Sequence, residues 1–517
     1  MKLSDIAKGI MDARVTGEAD VTGIAHDSRM VRPGDLFVAV PGTRMDGSAF
    51  VEKALKSGAS AVLAAKEEHA LGAPAIVAPD VRLAMGQAAG RVFGRPDLDM
   101  TVIGITGTNG KTTTSFILES ILAAAGFLPG VIGTVNYRFG ASTLPADTTT
   151  PESTDIFRIM GQMKEAGVTH VVMEISSHAL DQRRVSGLHL RHAVFTNLSR
   201  DHLDYHSGLD DYFQAKSRLF TEVIRGDWEL DRPDPDQDPV AVVNVDDEYG
   251  KRLAREVART GTGLVGYGID SGEADVRPAR MEVTDRGIEA VFSTGKGEVP
   301  VKSALVGAHN VENLMAAVGT AISLGIAPDA IARGIEALPS VPGRLEPVPN
   351  SAGITVLVDY AHTPDALDHA VDACRRVARK RLITVFGCGG DRDPGKRPIM
   401  GKIAVEGSDI AIVTSDNPRT EEPGSIIDMI LEGVESIEAV RLEAGSNGSG
   451  PHTPGRRGYL VEPDRREAIN AAIKMAGPGD IVLIAGKGHE DYQVLGTEKI
   501  HFDDREEAEK AMEGRGK

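Results

Sequence analysis

The stretch Thr101-Val102-Ile103-Gly104-Ile105-Thr106-Gly107-Thr108-Asn109-Gly110-Lys111-Thr112-Thr113 constrains this chain more than any other. An apolar run enters a glycine-bearing turn, and Ile117, Leu118, Ile121 and Leu122 follow at helical spacing. A strand, a turn and a helix in this order make an anion site. Backbone N–H groups and the helix N-terminus face phosphate oxygens, Lys111 adds a point charge, and the Thr112 hydroxyl can reach Mg²⁺. Gly107, Thr108, Asn109, Gly110, Lys111, Thr112 and Thr113 are therefore assigned to nucleotide phosphates. The spacing is irregular, because the strict phosphate-loop pattern places glycine at 105, where this chain has Ile105, and Gly104 falls one residue early. A plain strand-to-helix turn is the alternative, and the lysine and threonines together weigh against it. The loop specifies a nucleotide and leaves the reaction open.

At 517 residues the chain is too long for one ordinary core, so several domains are expected. Residues 1–98 read as a small α/β unit, with strands at Asp35 to Val40 and Ala61 to Ala64 around a helix from Ala49 to Ser57. Residues 99–338 read as a mostly parallel, doubly wound sheet, with buried-type runs at 171–173, 193–195 and 240–243. Pro339, Pro342 and Gly343 open a third α/β unit, 339–517, with runs at 354–358, 382–386, 410–413 and 481–484. The acidic, proline-rich stretch from Asp231 to Asp238 and the Gly/Ser stretch 445–450 read as surface loops.

Lys and Arg number 57 against 75 Asp and Glu, a net charge of −18, which excludes a general polyanion-binding surface. A 4% aromatic share argues against stacking platforms for single strands, so no nucleic-acid partner is expected. Cys374 and Cys388 are too few for a disulfide framework. The N-terminus lacks a signal-like apolar stretch, and no segment approaches a membrane span. A cytoplasmic protein without membrane insertion is the expectation.

Further chemistry falls at strand ends. Glu174, after Val171-Val172-Met173, would face the ligand crevice of a parallel sheet, where it can hold Mg²⁺. The loop Thr196-Asn197-Leu198-Ser199-Arg200-Asp201-His202-Leu203-Asp204-Tyr205-His206 offers a second metal ligand, although polar loops of this kind are common. In the third unit, three turns follow three strands: Gly387-Cys388-Gly389-Gly390-Asp391-Arg392, Asp416-Asn417-Pro418-Arg419 and Gly486-Lys487-Gly488-His489-Glu490. Arg392 and Arg419 can each grip a carboxylate, and Glu490 or Asp416 can pair with an ammonium. One such turn is ordinary; three at strand ends suggest a substrate site.

Together these residues resemble the Mur ligase family over nearly the whole chain. The likeness is carried by Asp27-Ser28-Arg29, Pro33-Gly34-Asp35-Leu36-Phe37, the phosphate loop, Thr148-Thr149-Thr150-Pro151 and Glu174-Ile175-Ser176-Ser177-His178. Asn197 to His202, His309-Asn310-Val311-Glu312-Asn313, Gly343-Arg344, Asp359-Tyr360-Ala361-His362-Thr363-Pro364 and Asp416 to Arg419 continue it. The resemblance implies three domains: a UDP-binding one, a central ATPase and a Rossmann-like C-terminal one. It implies ATP and Mg²⁺ as cofactors, with Lys111, Lys216, His202 and Glu174 catalytic. Thr112, Glu174, His202 and Lys216 become the metal set, Lys216 as a CO₂-derived carbamate; from the sequence alone it is an ordinary helix lysine. Asn313, Arg344, Asp359 and His362 fall to the adenine nucleotide and the hinge. Ser28, Thr149, Thr150, Ser176, Gln182 and Arg184 fall to the UDP-linked sugar-peptide.

The same resemblance assigns Asp416, Asn417, Pro418 and Arg419 to meso-diaminopimelate, and Arg392, Gly486 and Glu490 join them from the neighbouring turns. Physical chemistry supports that choice, because diaminopimelate carries a far-end carboxylate that Arg419 can pair. Lysine lacks it and would leave a guanidinium unpaired. The reading is an ATP-dependent ligase, expected to be a monomer, that adds meso-diaminopimelate to UDP-N-acetylmuramoyl-L-alanyl-D-glutamate through an acyl phosphate in cytoplasmic peptidoglycan precursor synthesis. The rivals are a lysine-adding, dipeptide-adding or folylpolyglutamate-type ligase, and a nucleotide-switched binding module.

Overall fold

Consecutive buried residues, rather than alternating ones, mark the central strands of the parallel sheets. Val102, Ile103 and Ile105 are all buried, as are Val171, Val172 and Met173. Both sheet faces are therefore covered, the condition under which parallel sheets occur. The computed structural model describes residues 1–42, 46–202, 205–226, 238–443 and 457–515. Leu203, Asp204, the stretch from Asp231 to Asp236 and the loop 445–450 lie outside them.

The chain divides into two compact units. The first comprises Met1–Pro278, Phe292–Val299 and Glu312–Ile335. Its N-terminal sheet has the order Arg14–Thr16, Ala75–Val77, Ala61–Ala64, Asp35–Val38, Gly23–Ala25, with only the first pair antiparallel. The helix between Asp35–Val38 and Ala61–Ala64 begins at Val51, after a 3-10 turn at Gly47–Phe50 that the Asp46 carboxylate caps through Ser48 N.

The larger sheet of this unit has eight strands. Gly263–Tyr267, Val240–Asn244, His192–Phe195, Thr101–Thr106, His170–Glu174 and Pro129–Ile132 run parallel, and Asn136–Phe139 and Ser142–Pro145 extend it as an antiparallel meander. Thr101–Thr106 lies between His192–Phe195 and His170–Glu174, so the phosphate loop opens between the turns that follow those strands.

The N-terminal sheet and the larger one share a core running from Leu36 and Leu63 through Met85 to Phe157 and Met173. Polar ties reinforce it: His26 Nδ1 meets Thr154 Oγ1 at 2.7 Å, and Arg82 reaches Gln182 O at 2.9 Å and Glu152 Oε2 at 3.1 Å. A Cβ on Gly86 would lie 1.8 Å from Ser186 O, so the helix Val81–Val92 approaches that backbone as only glycine permits.

The second unit comprises Ala279–Val291, Pro300–Val311 and Glu336–Lys517. Its seven-stranded sheet has the order Glu346–Pro347, Thr355–Asp359, Ile481–Ala485, Leu382–Cys388, Ile410–Ser415, Arg457–Val461, Ala439–Arg441, parallel except for the first pair. Leu357 faces one apolar cluster while Val356 and Val358 face another, so helices cover both sides. Both units are thus mixed α/β with mainly parallel sheets. A short hairpin, Tyr492–Leu495 with Glu498–His501, follows the strand Ile481–Ala485.

Candidate active site

In the first unit, the chemistry begins where Thr106 ends its strand. Gly107 has φ +148 and Gly110 φ +89; a Cβ at these positions would lie 1.9 Å from Thr196 Oγ1 and 2.3 Å from Asn313 Oδ1. The loop is pinned from the neighbouring strand end. Thr196 Oγ1 donates to Asn109 O at 2.6 Å, Asn109 N donates to Asn197 Oδ1 at 3.0 Å, and Ser199 N donates to Thr108 Oγ1 at 3.0 Å. Thr112 and Thr113 open the helix Lys111–Ala124 and are buried.

Two lysines converge on this loop. Lys111 Nζ donates to Gly107 O at 2.7 Å and Thr108 O at 2.8 Å, and Lys216 Nζ reaches the same Gly107 O at 2.8 Å. Lys216 is 1% exposed and lies 4.4 Å from the centre of the Tyr212 ring. Burial pushes its ammonium well below the usual lysine range, and Lys111 adds to the shift while Asp201 opposes it. Desolvation at this position therefore favours the amine over the ammonium. Tyr212 and Lys216 lie one turn apart on the helix Leu209–Arg218, the spacing at which side chains of one helix meet.

Glu174 closes its strand 1% exposed and accepts a dense set of donors. Thr112 Oγ1 donates to Oε2 at 2.8 Å, Thr134 Oγ1 to Oε2 at 2.8 Å and Thr134 N to Oε1 at 3.0 Å. A hydroxyl and a carboxylate 2.8 Å apart beside a phosphate loop are hard oxygen donors of the kind Mg²⁺ takes. No motif announced Thr134. It continues the network, meeting Thr149 Oγ1 at 3.1 Å.

From Glu174 the path runs on through the residues assigned to the sugar-peptide. Thr150 Oγ1 donates to Glu174 O at 2.9 Å and accepts from Ser176 N at 3.0 Å. Arg184 Nη1 donates to Thr150 O at 2.9 Å, and Arg184 Nη2 to Gln182 Oε1 at 2.8 Å. Ser28 is buried beyond the end of the strand Gly23–Ala25, two residues from His26 and its Thr154 contact.

His202 is exposed, has φ +53, and stacks edge-on to His178 with ring centroids 4.9 Å apart. Among the described residues no three His, Cys, Asp or Glu side chains group as a metal site.

In the second unit the three turns meet at the carboxyl ends of adjacent strands. Arg419 has φ +52, and its turn is braced by the hairpin: Arg419 N donates to Val494 O at 3.1 Å, Gly496 N to Arg419 O at 2.8 Å, and Gln493 Nε2 to Asp416 O at 2.7 Å. The Arg419 guanidinium rests on Gly390 O at 2.8 Å, joining this turn to the one that carries the exposed Arg392. Pro418 and Gly486 are buried beneath.

Desolvation works against the Asp416 carboxylate, but Lys487 and Arg465 together hold it below the usual range. For Glu490 the balance runs the other way: desolvation and nearby Asp416 raise it, against Lys487 and the hydrogen bonds from Asn417 Nδ2 at 3.1 Å and Tyr360 OH at 3.4 Å. Of the two acids, Glu490 is the less compensated. Lys487 belongs to the third of these turns, where the sequence assigns it no role, and the hairpin carries no motif.

Asp359, Arg344 and His362 form a neighbouring group. Asp359 accepts from Leu345 N at 2.8 Å and Ala361 N at 2.9 Å, and desolvation raises its carboxyl against the pull of Arg344. His362 Nδ1 meets Tyr360 O at 2.8 Å, and Arg344 lies over the Tyr360 ring. Asn313 belongs to the first unit, against Gly110.

Comparison with known proteins follows the same outline. The chain matches the family models described as "Mur ligase family, catalytic domain" over residues 20–91, "Mur ligase middle domain" over 105–321 and "Mur ligase, glutamate ligase domain" over 343–488. It is 46% identical to the UDP-N-acetylmuramoyl-L-alanyl-D-glutamate--2,6-diaminopimelate ligase of Geobacter metallireducens, over 99% of this chain and 98% of the relative. The protein of the same name from Geobacter sulfurreducens is 45% identical over 98% of each chain. A solved structure of a UDP-N-acetylmuramoyl-L-alanyl-D-glutamate--2,6-diaminopimelate ligase superposes with a TM-score of 0.70 at 33% identity, covering 96% of each chain.

Proposed function

The chain belongs to the Mur ligase family of ATP-dependent peptide ligases, and on that premise we propose that it joins meso-diaminopimelate to UDP-N-acetylmuramoyl-L-alanyl-D-glutamate in cytoplasmic peptidoglycan precursor synthesis. The reading takes 1–98 as the UDP-binding part, 99–338 as the ATP-binding part and 339–517 as the amino-acid-binding part. The observation that carries it is the unbroken path from the phosphate loop through Thr112, Glu174 and Thr134 to Thr149, with Thr150, Ser176, Arg184 and Gln182 hung from Glu174 O. Groups assigned to phosphate and groups assigned to the carboxylate-bearing substrate are parts of one hydrogen-bonded network.

The γ-phosphoryl group passes from ATP to the D-glutamate carboxylate, giving ADP and an acyl phosphate. The amine then attacks the carbonyl carbon, its C–O bond to phosphate breaks, and inorganic phosphate leaves. Lys111 shifts from the loop carbonyls onto phosphate oxygens and stabilises the charge that builds there. Thr112, Glu174, His202 and a carbamylated Lys216 would hold Mg²⁺, which when bound neutralises charge on the phosphoryl group. Glu490 receives an ammonium of diaminopimelate, and Arg392 and Arg419 receive carboxylates. The relatives named for diaminopimelate addition support that amine over lysine.

An isotope experiment tests the acyl phosphate. With ¹⁸O in the D-glutamate carboxylate, one labelled oxygen per turnover is expected in released phosphate. Unlabelled phosphate alongside formed amide would contradict the mechanism.

A further inference from the structure

Lys487 lies between Gly486 and Gly488, where the chain leaves the strand Ile481–Ala485, and its side chain has no exposed surface. Its ammonium donates to Asn417 Oδ1 at 3.0 Å and Tyr492 O at 2.8 Å, and faces Asp416 Oδ1 at 3.4 Å. Asn417 Oδ1 also accepts from Val494 N at 3.0 Å. An ammonium and a backbone N–H can only donate, so the amide atom between them must be the oxygen. The other end of the amide, Nδ2, is thereby turned to Glu490 Oε2 at 3.1 Å. A flipped amide would set NH₂ against two donors and carbonyl oxygen against a carboxylate.

The charges divide in the same sense. Asp504 is bound through two oxygens by the buried Arg465, at 2.7 and 2.6 Å, and Asp416 is matched by Lys487. Glu490 is left as the acid whose contacts are neutral donors. The glycines fix this geometry: a Cβ on Gly488, at φ +55, would lie 2.6 Å from Tyr360 Cβ.

We propose that Lys487 is a positioning residue for amino-acid selection: by clamping Asn417 Oδ1 it aims the Asn417 amide at Glu490, and so holds Glu490 where the incoming ammonium binds. This assignment rests on the reading of these turns as the diaminopimelate site. Lys487 acts through Asn417, so its removal must cost the amino acid and spare the other two substrates.

The test is steady-state kinetics of the full-length enzyme by phosphate release, for wild type, Lys487→Met, Asn417→Ala and the double variant. Lys487→Met should raise KM for diaminopimelate roughly tenfold or more while KM for ATP and for the UDP-dipeptide move less than about twofold. In the Asn417→Ala background the same change should add less than about twofold, because the clamp has nothing left to hold. Equal rises in all three constants, or full additivity with Asn417→Ala, would overturn the proposal. Should Lys487→Met not fold, Asn417→Asp reads the same clamp. It keeps an oxygen for Lys487 but removes the N–H from Glu490, so KM for diaminopimelate should again rise about tenfold. An unchanged value there also overturns it. A wild-type enzyme that releases no phosphate in response to diaminopimelate removes the underlying reading, and the clamp with it, before any variant is made.

Discussion

Lys216 shows how far a residue's meaning depends on its surroundings. In Gln214-Ala215-Lys216-Ser217-Arg218 it looks like any helix lysine, yet it is buried against Tyr212 and shares Gly107 O with Lys111. Lys216→Ala is expected to lower kcat on the order of a hundredfold, the scale of losing a group that supports a metal site. Added formate or acetate should recover part of that loss, and the absence of any rescue would argue against a carbamate. Arg419 is the opposite case: its proposed role comes from its motif, because the chemistry of a far-end carboxylate calls for a guanidinium. Arg419→Ala should raise KM for diaminopimelate by on the order of tenfold to a hundredfold and leave that for ATP unchanged. Arg419→Lys should not restore it, since a point charge cannot replace a planar fork. A matching rise in KM for ATP would place Arg419 elsewhere. Thr134 and the role of Lys487 were hidden for a common reason. Each serves a partner 40 or 70 positions away, and only the fold brings them together.

At the scale of elements, runs such as Val171-Val172-Met173 and Ile481-Val482-Leu483 were legible as strands because helices cover both faces. Asn136–Phe139 and Ser142–Pro145 were not, since they form a sheet edge where residues are half exposed and no apolar run survives. The helix expected from Ala49 starts at Val51, because Asp46 caps a 3-10 turn first. The site turns were visible because strand ends are where a parallel sheet exposes polar loops, but the hairpin Tyr492–Leu495 that braces Arg419 carries no motif. The phosphate turn gives a prediction at this scale. Gly110→Ala must place a methyl group 2.3 Å from Asn313 Oδ1 at φ +89. It should cost about 1–3 kcal/mol of stability and weaken nucleotide binding in a direct titration. Wild-type affinity would show that the turn tolerates a side chain.

For the whole molecule, stability should depend on buried histidines held neutral. Burial lowers His192 to about 3 and His170 to about 4, and His309 and His489 also fall to about 4. The unfolded chain titrates near 6.5, so below that pH it binds more protons than the fold does. Stability is then complete above about pH 6.5 and declines as the pH falls toward the folded values. His192→Phe should flatten the acid limb of a melting-temperature profile, and an unchanged slope would mean that His192 does not contribute to it. The proposed selection of diaminopimelate over lysine does not depend on these histidines. Its most direct test compares meso-diaminopimelate with L-lysine as acceptor, in the presence of ATP, Mg²⁺ and UDP-N-acetylmuramoyl-L-alanyl-D-glutamate, by phosphate release and product mass. Release and a new amide are predicted with diaminopimelate, with little of either when it is replaced by lysine or when the UDP-dipeptide is omitted. Equal turnover of the two amines, or phosphate release indifferent to both substrates, would contradict it.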